Sequence, residues 1–210
     1  MKNFIFYIGI MLVLGFALGF FSVNWILSLI CIAAVASAYL FILFSPILFT
    51  NDISKTEKFL IKNRKKPFYD LNFSIANNLE NDVEDAIQKV LSKYKAPFRH
   101  ALFLTIYSLY KHDTEKAKTH LEGIQPLKYR EYYRALVCVE EGNLQDAVTI
   151  SNKINSPKWM KLIIMAEVYL KEGNNEKAKI CAIQAVKETK GLQKYAIYKN
   201  FEKILGDQTM

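Results

Sequence analysis

Four short stretches of one design return along the chain: DVEDA (82–86), DTEKA (113–117), NLQDA (143–147) and NNEKA (174–178). Each reads Asp or Asn, any residue, Glu or Gln, any residue, Ala, and the alanines lie 31, 30 and 31 residues apart. An Asp or Asn ahead of an apolar periodic segment caps a helix, because its side chain accepts from the free N–H groups of the first turn. The pattern therefore predicts N-caps at Asp82, Asp113, Asn143 and Asn174. It puts Glu84, Glu115 and Glu176 in first turns, where the helix dipole favours an anion. Ala86, Ala117, Ala147 and Ala178 fall on the buried face, where a small residue lets two helices approach. A chain that starts a helix four times at a fixed interval is expected to stack copies of one helical unit.

The prolines keep the same interval. Pro67, Pro97, Pro126 and Pro157 are spaced 30, 29 and 31 residues apart, and the fifth, Pro46, lies in the apolar front of the chain. Proline starts or ends helices, so each unit reads as proline, first helix, short polar turn, cap, second helix. In the last unit the first helix is predicted over 158–171 and the second over 175–188, joined by Glu172-Gly173. The third unit has Glu141-Gly142 at that turn, and the first two diverge there. Leu192–Leu205 reads as a final amphipathic helix, expected to cap the stack with a polar outer face.

From Asn3 to Asn51 the chain carries no charged residue. That exceeds one bilayer crossing of about 20 residues and fits two. The spans are expected at about 4–21 and 26–49, with Ser22-Val23-Asn24-Trp25 as the turn. A cleaved signal is disfavoured, because its apolar region runs only about 7–15 residues. Lys55, Lys58, Lys62, Arg64, Lys65 and Lys66 follow the second span against Asp52 and Glu57, and positive flanks stay cytoplasmic. Both termini and the repeats are therefore expected in the cytoplasm of a cell-membrane protein. The same cations are open to anionic lipid. In the spans, Gly15 with Gly19 and Ala34 with Ala38 form small-xxx-small faces, which suit packing within the hairpin or a homo-oligomer. The domains read as a transmembrane hairpin (1–50), a basic juxtamembrane linker (51–66), helical repeats (67–190) and a capping helix with a tail (191–210).

The formal charge is +8, of which Lys2 contributes +1 and residues 51–66 contribute +4, leaving +3 for residues 67–210. No basic stripe continues into the folded part, so nucleic-acid binding is not expected. Cys31, Cys138 and Cys181 are too scattered for a disulfide framework or a metal site. The histidines are His100, His112 and His120; His112 and His120, eight apart, could share a helix face, but no third ligand is evident, so no metal site is expected. No phosphate loop or nucleophile motif is present. Neither a cofactor nor an enzymatic activity is expected.

In the last unit a small residue, an aromatic three later and an alanine twelve after the first are Ala166, Tyr169 and Ala178, with Gly173 and Ala185 alongside. Ala135, Gly142 and Ala147 follow more loosely. These positions resemble the tetratricopeptide repeat, trimmed from its usual period of about 34 residues to about 31. Ser74 and Thr105 replace Ala166 in the first two units, and Asn77, Ser108 and Cys138 replace Tyr169. The arrangement of hairpin and repeats is also similar to that of bacterial membrane-anchored repeat proteins that assist envelope assembly. The resemblance implies an all-α chain: a two-helix membrane hairpin, then an α-solenoid of about four helix pairs and a capping helix. It implies that the first helix of each unit lines a concave face. That face would hold Arg99, Leu102, Ile106 and Tyr110, then Tyr129, Tyr132 and Leu136, then Ile163 and Glu167. Tyr and Arg are enriched in interface hot spots. Leu71, Ile75, Tyr132 and Leu136 stand where some such repeats clamp a peptide C-terminus, so no carboxylate clamp is expected. The expected function is a membrane-anchored adaptor that binds a protein or peptide. The alternative is an accessory subunit of a transport or envelope-assembly complex working through its hairpin.

Overall fold

The computed structural model describes residues 24–206 together with residues 9, 12, 13, 15 and 16. Among them the protein is all-helical, with eleven helices and no strand. In chain order these are α1 (Trp25–Leu48), α2 (Ile53–Asn63), α3 (Pro67–Ala76), α4 (Glu80–Lys93), α5 (Pro97–Tyr110) and α6 (Thr114–Leu121). Then come α7 (Leu127–Glu140), α8 (Leu144–Lys153), α9 (Lys158–Lys171), α10 (Asn175–Lys187) and α11 (Gly191–Leu205).

Helix α1 is the one candidate membrane-spanning helix among the described residues, and none of its apolar window is buried. Its 24 residues make about 36 Å at 1.5 Å per residue, enough for a hydrocarbon core of about 30 Å. Asn24 caps it by accepting from the Ile26 N–H at 2.9 Å. Ala34 and Ala38 are exposed along it. The expected first span lies outside the described residues, as does Gly19. The exceptions are five helical positions, among them Gly15, which has open space around it.

Residues 51–66 depart from the expected linker. Most of them form α2, capped by Asp52 through the Lys55 N–H at 2.9 Å. Ile53, Thr56 and Leu60 recur at helical spacing and are buried, while the lysines occupy the outer face. The Thr56 hydroxyl donates to the Pro46 carbonyl at 2.8 Å, so α2 grips the end of α1. Helix α1 therefore meets the rest of the protein at a fixed joint.

The remaining helices pack in chain order, α3 on α4, α5 on α6, α7 on α8 and α9 on α10, and α7 also touches α5 and α9. Pro67 and Pro97 open α3 and α5, and Pro126 and Pro157 sit at the caps of α7 and α9. The four recurrent alanines have no exposed surface. All four turns inside these pairs share one backbone. The second residue after each first helix is left-handed: Asn78 (φ 53°), His112 (55°), Gly142 (79°) and Gly173 (74°). The next N–H reaches back five residues, Leu79 to Ser74 at 2.9 Å, and Asp113 to Ser108, Asn143 to Cys138 and Asn174 to Tyr169 at 2.8 Å each. This is the Schellman closure that satisfies the last carbonyls of a helix. The turns that diverge in sequence do not diverge in shape.

Two predicted caps need correction. Asp82 lies inside the first turn of α4, whose cap position is Leu79. Its carboxylate instead receives Arg64 Nη2 at 2.7 Å. Asn143 occupies the cap position of α8 without a side-chain bond. Asp113 and Asn174 do cap, accepting from Lys116 and Lys177 N–H at 3.0 and 3.1 Å.

Helix α11 does more than cover the last pair. It packs on α10 and also on α1, α2 and α3, which joins the end of the chain to its beginning. Tyr195 is fully buried there. Its hydroxyl donates to Glu57 at 3.2 Å and accepts from Asn77 Nδ2 at 2.8 Å. Asn77, out of pattern as a repeat position, is the residue that holds this helix.

Candidate functional site

A half-open cleft of about 360 Å³ lies where α3, α5, α7, α9 and α11 converge. Pro97 starts α5 and the left-handed turn at His112 ends the pair's first helix, so Ile106 and Tyr110 face the cleft one turn apart. Leu136 on α7 and Glu167 on α9 reach it from the neighbouring pairs, and Asn200 enters from α11. Its apolar wall includes Ile75, Ile106, Leu109, Leu136 and Val139. Beyond Tyr110 and His112 the surface opens into a more polar hollow of about 550 Å³, edged by Glu80 and Lys111.

Two carboxyl groups face this cleft in different surroundings. Burial pushes the Glu167 carboxyl above its ordinary range and the nearby Glu140 charge adds to that, against the hydrogen bond from Asn200. That bond runs from Asn200 Nδ2 to Glu167 Oε1 at 2.7 Å. Burial acts the same way on Glu140, but the hydrogen bonds from His112 and Lys171 outweigh it and hold this carboxyl below its ordinary range. His112 Nδ1 stands 2.7 Å from Glu140 Oε1, and Lys171 Nζ stands 3.3 Å from Oε2. The site thus offers an apolar wall, one carboxyl already paired with His112 and Lys171, and one buried carboxyl whose proton the surroundings hold more tightly than water would. Its size falls in the range of ligand pockets, about 300–1,000 Å³.

No family model matches the chain, and no curated protein or solved structure matches it either. What it does must be argued from the site.

Of the nine residues predicted for a concave face, Ile106, Tyr110, Leu136 and Glu167 line this one cleft. Arg99 is exposed at the start of α5, its guanidinium 5.4 Å from the Tyr94 ring and 5.7 Å from the Phe98 ring. Leu102 is half-buried against the core between α5, α6 and α7. Tyr129 is half-buried and joins two core clusters. Tyr132 and Ile163 are core residues, 8% and 5% exposed. Tyr132 packs edge-on to Trp159, ring centroids 5.4 Å apart, and burial raises its phenol well above the ordinary value. Neither can touch a partner without repacking. Both belong to the same core cluster, in which Trp159 of the neighbouring pair packs on Tyr132.

Among the basic residues after α1, Lys55, Lys58, Lys62, Lys65 and Lys66 are exposed. Arg64 is engaged by the fold. It binds Asp70 and Asp82 at 2.7 Å each and lies 5.0 Å from the Phe73 ring centroid. The hydrogen bonds to Asp82 and Asp70 raise its pKa, so it pins α2 to α3 and α4. Asn200, Glu140 and His112 escaped the sequence reading as cleft residues. Asn200 is an exposed position of α11 with no local signal in the sequence. For Glu140 and His112 nothing local distinguishes them from solvated charges.

Proposed function

We propose that this protein is a membrane-anchored adaptor whose helix pairs form a short tetratricopeptide-like solenoid and whose cleft takes a segment of a protein partner. The observation that carries this reading is the convergence of four successive first helices, α3, α5, α7 and α9, and of α11 on one apolar cleft bearing Glu140 and Glu167. The four identical turns support the repeat. The unburied apolar surface of α1, which only lipid or other apolar helices would cover, supports the anchor. The second span over residues 4–21 and the cytoplasmic placement of both termini belong to the same reading. The exposed lysines of α2 support that orientation. The segment that fits the cleft presents an apolar side chain next to a basic one, and the role is binding, not catalysis.

The test is photo-crosslinking of the full-length protein in cells from an unnatural residue at Lys111, on the rim, with and without Ile106→Glu and Leu136→Glu. Adducts lost in both variants, with melting temperatures unchanged, support the cleft. Adducts retained at wild-type levels in folded variants overturn it. A second reading has the hairpin acting within a larger membrane complex, and the fixed joint at Thr56 and Pro46 favours it. Replacing the hairpin by an unrelated anchor tests this: full function in the chimera rules it out.

A further inference from the structure

A second cavity, of about 450 Å³, opens between α8, α9 and α10, away from the cleft. Its floor includes Leu162, Met165 and Cys181, and Lys158, Lys161 and Lys187 stand on its lining. Among the described residues none of these lysines is in an ion pair. Lys161 Nζ donates to a neutral partner, Asn152 Oδ1, at 2.7 Å. One acid, Glu188, lines the same cavity, so three cations face one anion. Helix α9 begins there at Lys158 with no side-chain cap, and its open N–H groups add partial positive charge.

The position of the cavity narrows what it holds. Lys187 is four residues before Gly191, within about 14 Å along the chain. The Gly191 N–H donates to the Thr50 carbonyl at 2.8 Å, where α1 ends. Lys187, on the lining of the cavity, therefore lies close to the point where α11 meets the end of α1. A free anion would leave the apolar floor uncovered. A molecule with an anionic head on an apolar chain satisfies both halves at once.

We propose that this cavity binds one anionic phospholipid, its phosphate held by Lys158, Lys161 and Lys187 and the start of an acyl chain laid on Leu162, Met165 and Cys181. The placement of the lipid beside the fold rests on α1 spanning the bilayer. The cavity fixes the tilt of the domain against the membrane through a single lipid, apart from the diffuse attraction of the α2 lysines.

Cys181 reports on occupancy. The full-length protein, in mild non-ionic detergent and carrying Cys31→Ser and Cys138→Ser, is labelled with a maleimide at pH 8. Labelling is measured alone and with dioctanoyl-phosphatidylglycerol, dioctanoyl-phosphatidylcholine or inorganic phosphate. The expected result is that phosphatidylglycerol slows labelling at least tenfold while the other two change it less than twofold. The triple variant Lys158→Gln/Lys161→Gln/Lys187→Gln, with an unchanged melting temperature and unprotected rate, loses that protection. Equal protection by phosphatidylcholine would mean any amphiphile fills the cavity and overturns the proposal. So would protection by phosphate alone, no protection at all, or protection surviving in the triple variant. Alkaline extraction of membranes scores the anchor separately: release of the protein overturns the spanning reading of α1, while the labelling judges the cavity.

Discussion

The joint between α1 and the rest of the protein turns on one glycine. Gly191 has φ +54°, and a Cβ there would overlap the Ile47 carbonyl and stand 2.7 Å from the Leu48 nitrogen. Ordinary contact starts at 3.4 Å, so backbone on one side must retreat by at least 0.7 Å. Backbone atoms at a helix end have no rotamer by which to yield. Gly191→Ala is therefore expected to lose about 1–2 kcal/mol from the left-handed conformation. It should lose about 1 kcal/mol more as the Gly191–Thr50 hydrogen bond lengthens. A total of about 2–3 kcal/mol lowers the melting temperature by about 4–12 °C in a chain of this size. Gly173→Ala is the control. Gly173 is also left-handed, but a Cβ there meets nothing within 4 Å, so it carries only the conformational cost. Both variants would be melted as full-length protein in detergent, with limited proteolysis around residues 49–52 as a local readout. Gly191→Ala is expected to melt below Gly173→Ala and to be cut faster at the joint. If the two melt together and are cut alike, the close approach of α11 to α1 is refuted.

Other expectations can be read the same way. Tyr195→Phe removes a buried hydroxyl that bonds Asn77 and Glu57, and is expected to cost about 1–2 kcal/mol in chemical denaturation; no loss would mean α11 is not held by this contact. Arg64→Ala should cost about 1 kcal/mol, since Arg64 is partly exposed and its two ion pairs are screened, whereas Lys65→Ala should stay within about 0.5 kcal/mol. Equal effects would show that Arg64 is not the pin between α2, α3 and α4. The folded protein binds the Glu167 proton more tightly than the unfolded chain, so the ionised form lowers stability above the ordinary glutamate range. That cost shrinks as pH falls through the raised folded pKa and is gone below the ordinary value of 4.5. Glu167→Gln, which keeps an acceptor for Asn200, is expected to raise the melting temperature at pH 7–8 and to leave it unchanged near pH 4.

Local signals were legible wherever they depended on a few neighbouring residues. Alanines at helical register are buried because a close helix–helix approach admits nothing larger. The prolines open helices because their fixed φ suits the first turn. Asp82 was misread for a reason that lies outside its helix: Arg64, eighteen residues away, claims its carboxylate. Residues 51–66 looked like a linker because the lysines dominate their composition, while the spacing of Ile53, Thr56 and Leu60 is a short signal easily missed among them. Ile106, Tyr110, Leu136 and Glu167 line one cleft because equivalent positions on neighbouring first helices face the same side. Tyr132 and Ile163 share that register yet are buried, because register says which way a side chain points and not what comes to cover it.

By itself the sequence determined the helical class, the helix starts after Asp113, Asn143 and Asn174, and an apolar segment long enough to cross a bilayer. Each follows from backbone preference and periodicity within about thirty residues. Only the tertiary structure decided that α11 returns to α1, α2 and α3, that the chain meets α1 at a fixed joint, and that Asn200 and Glu140 belong to the cleft. Those contacts join residues more than a hundred positions apart in the case of Tyr195 with Asn77 and Glu57. They arise from the fit of whole faces, which no local pattern encodes.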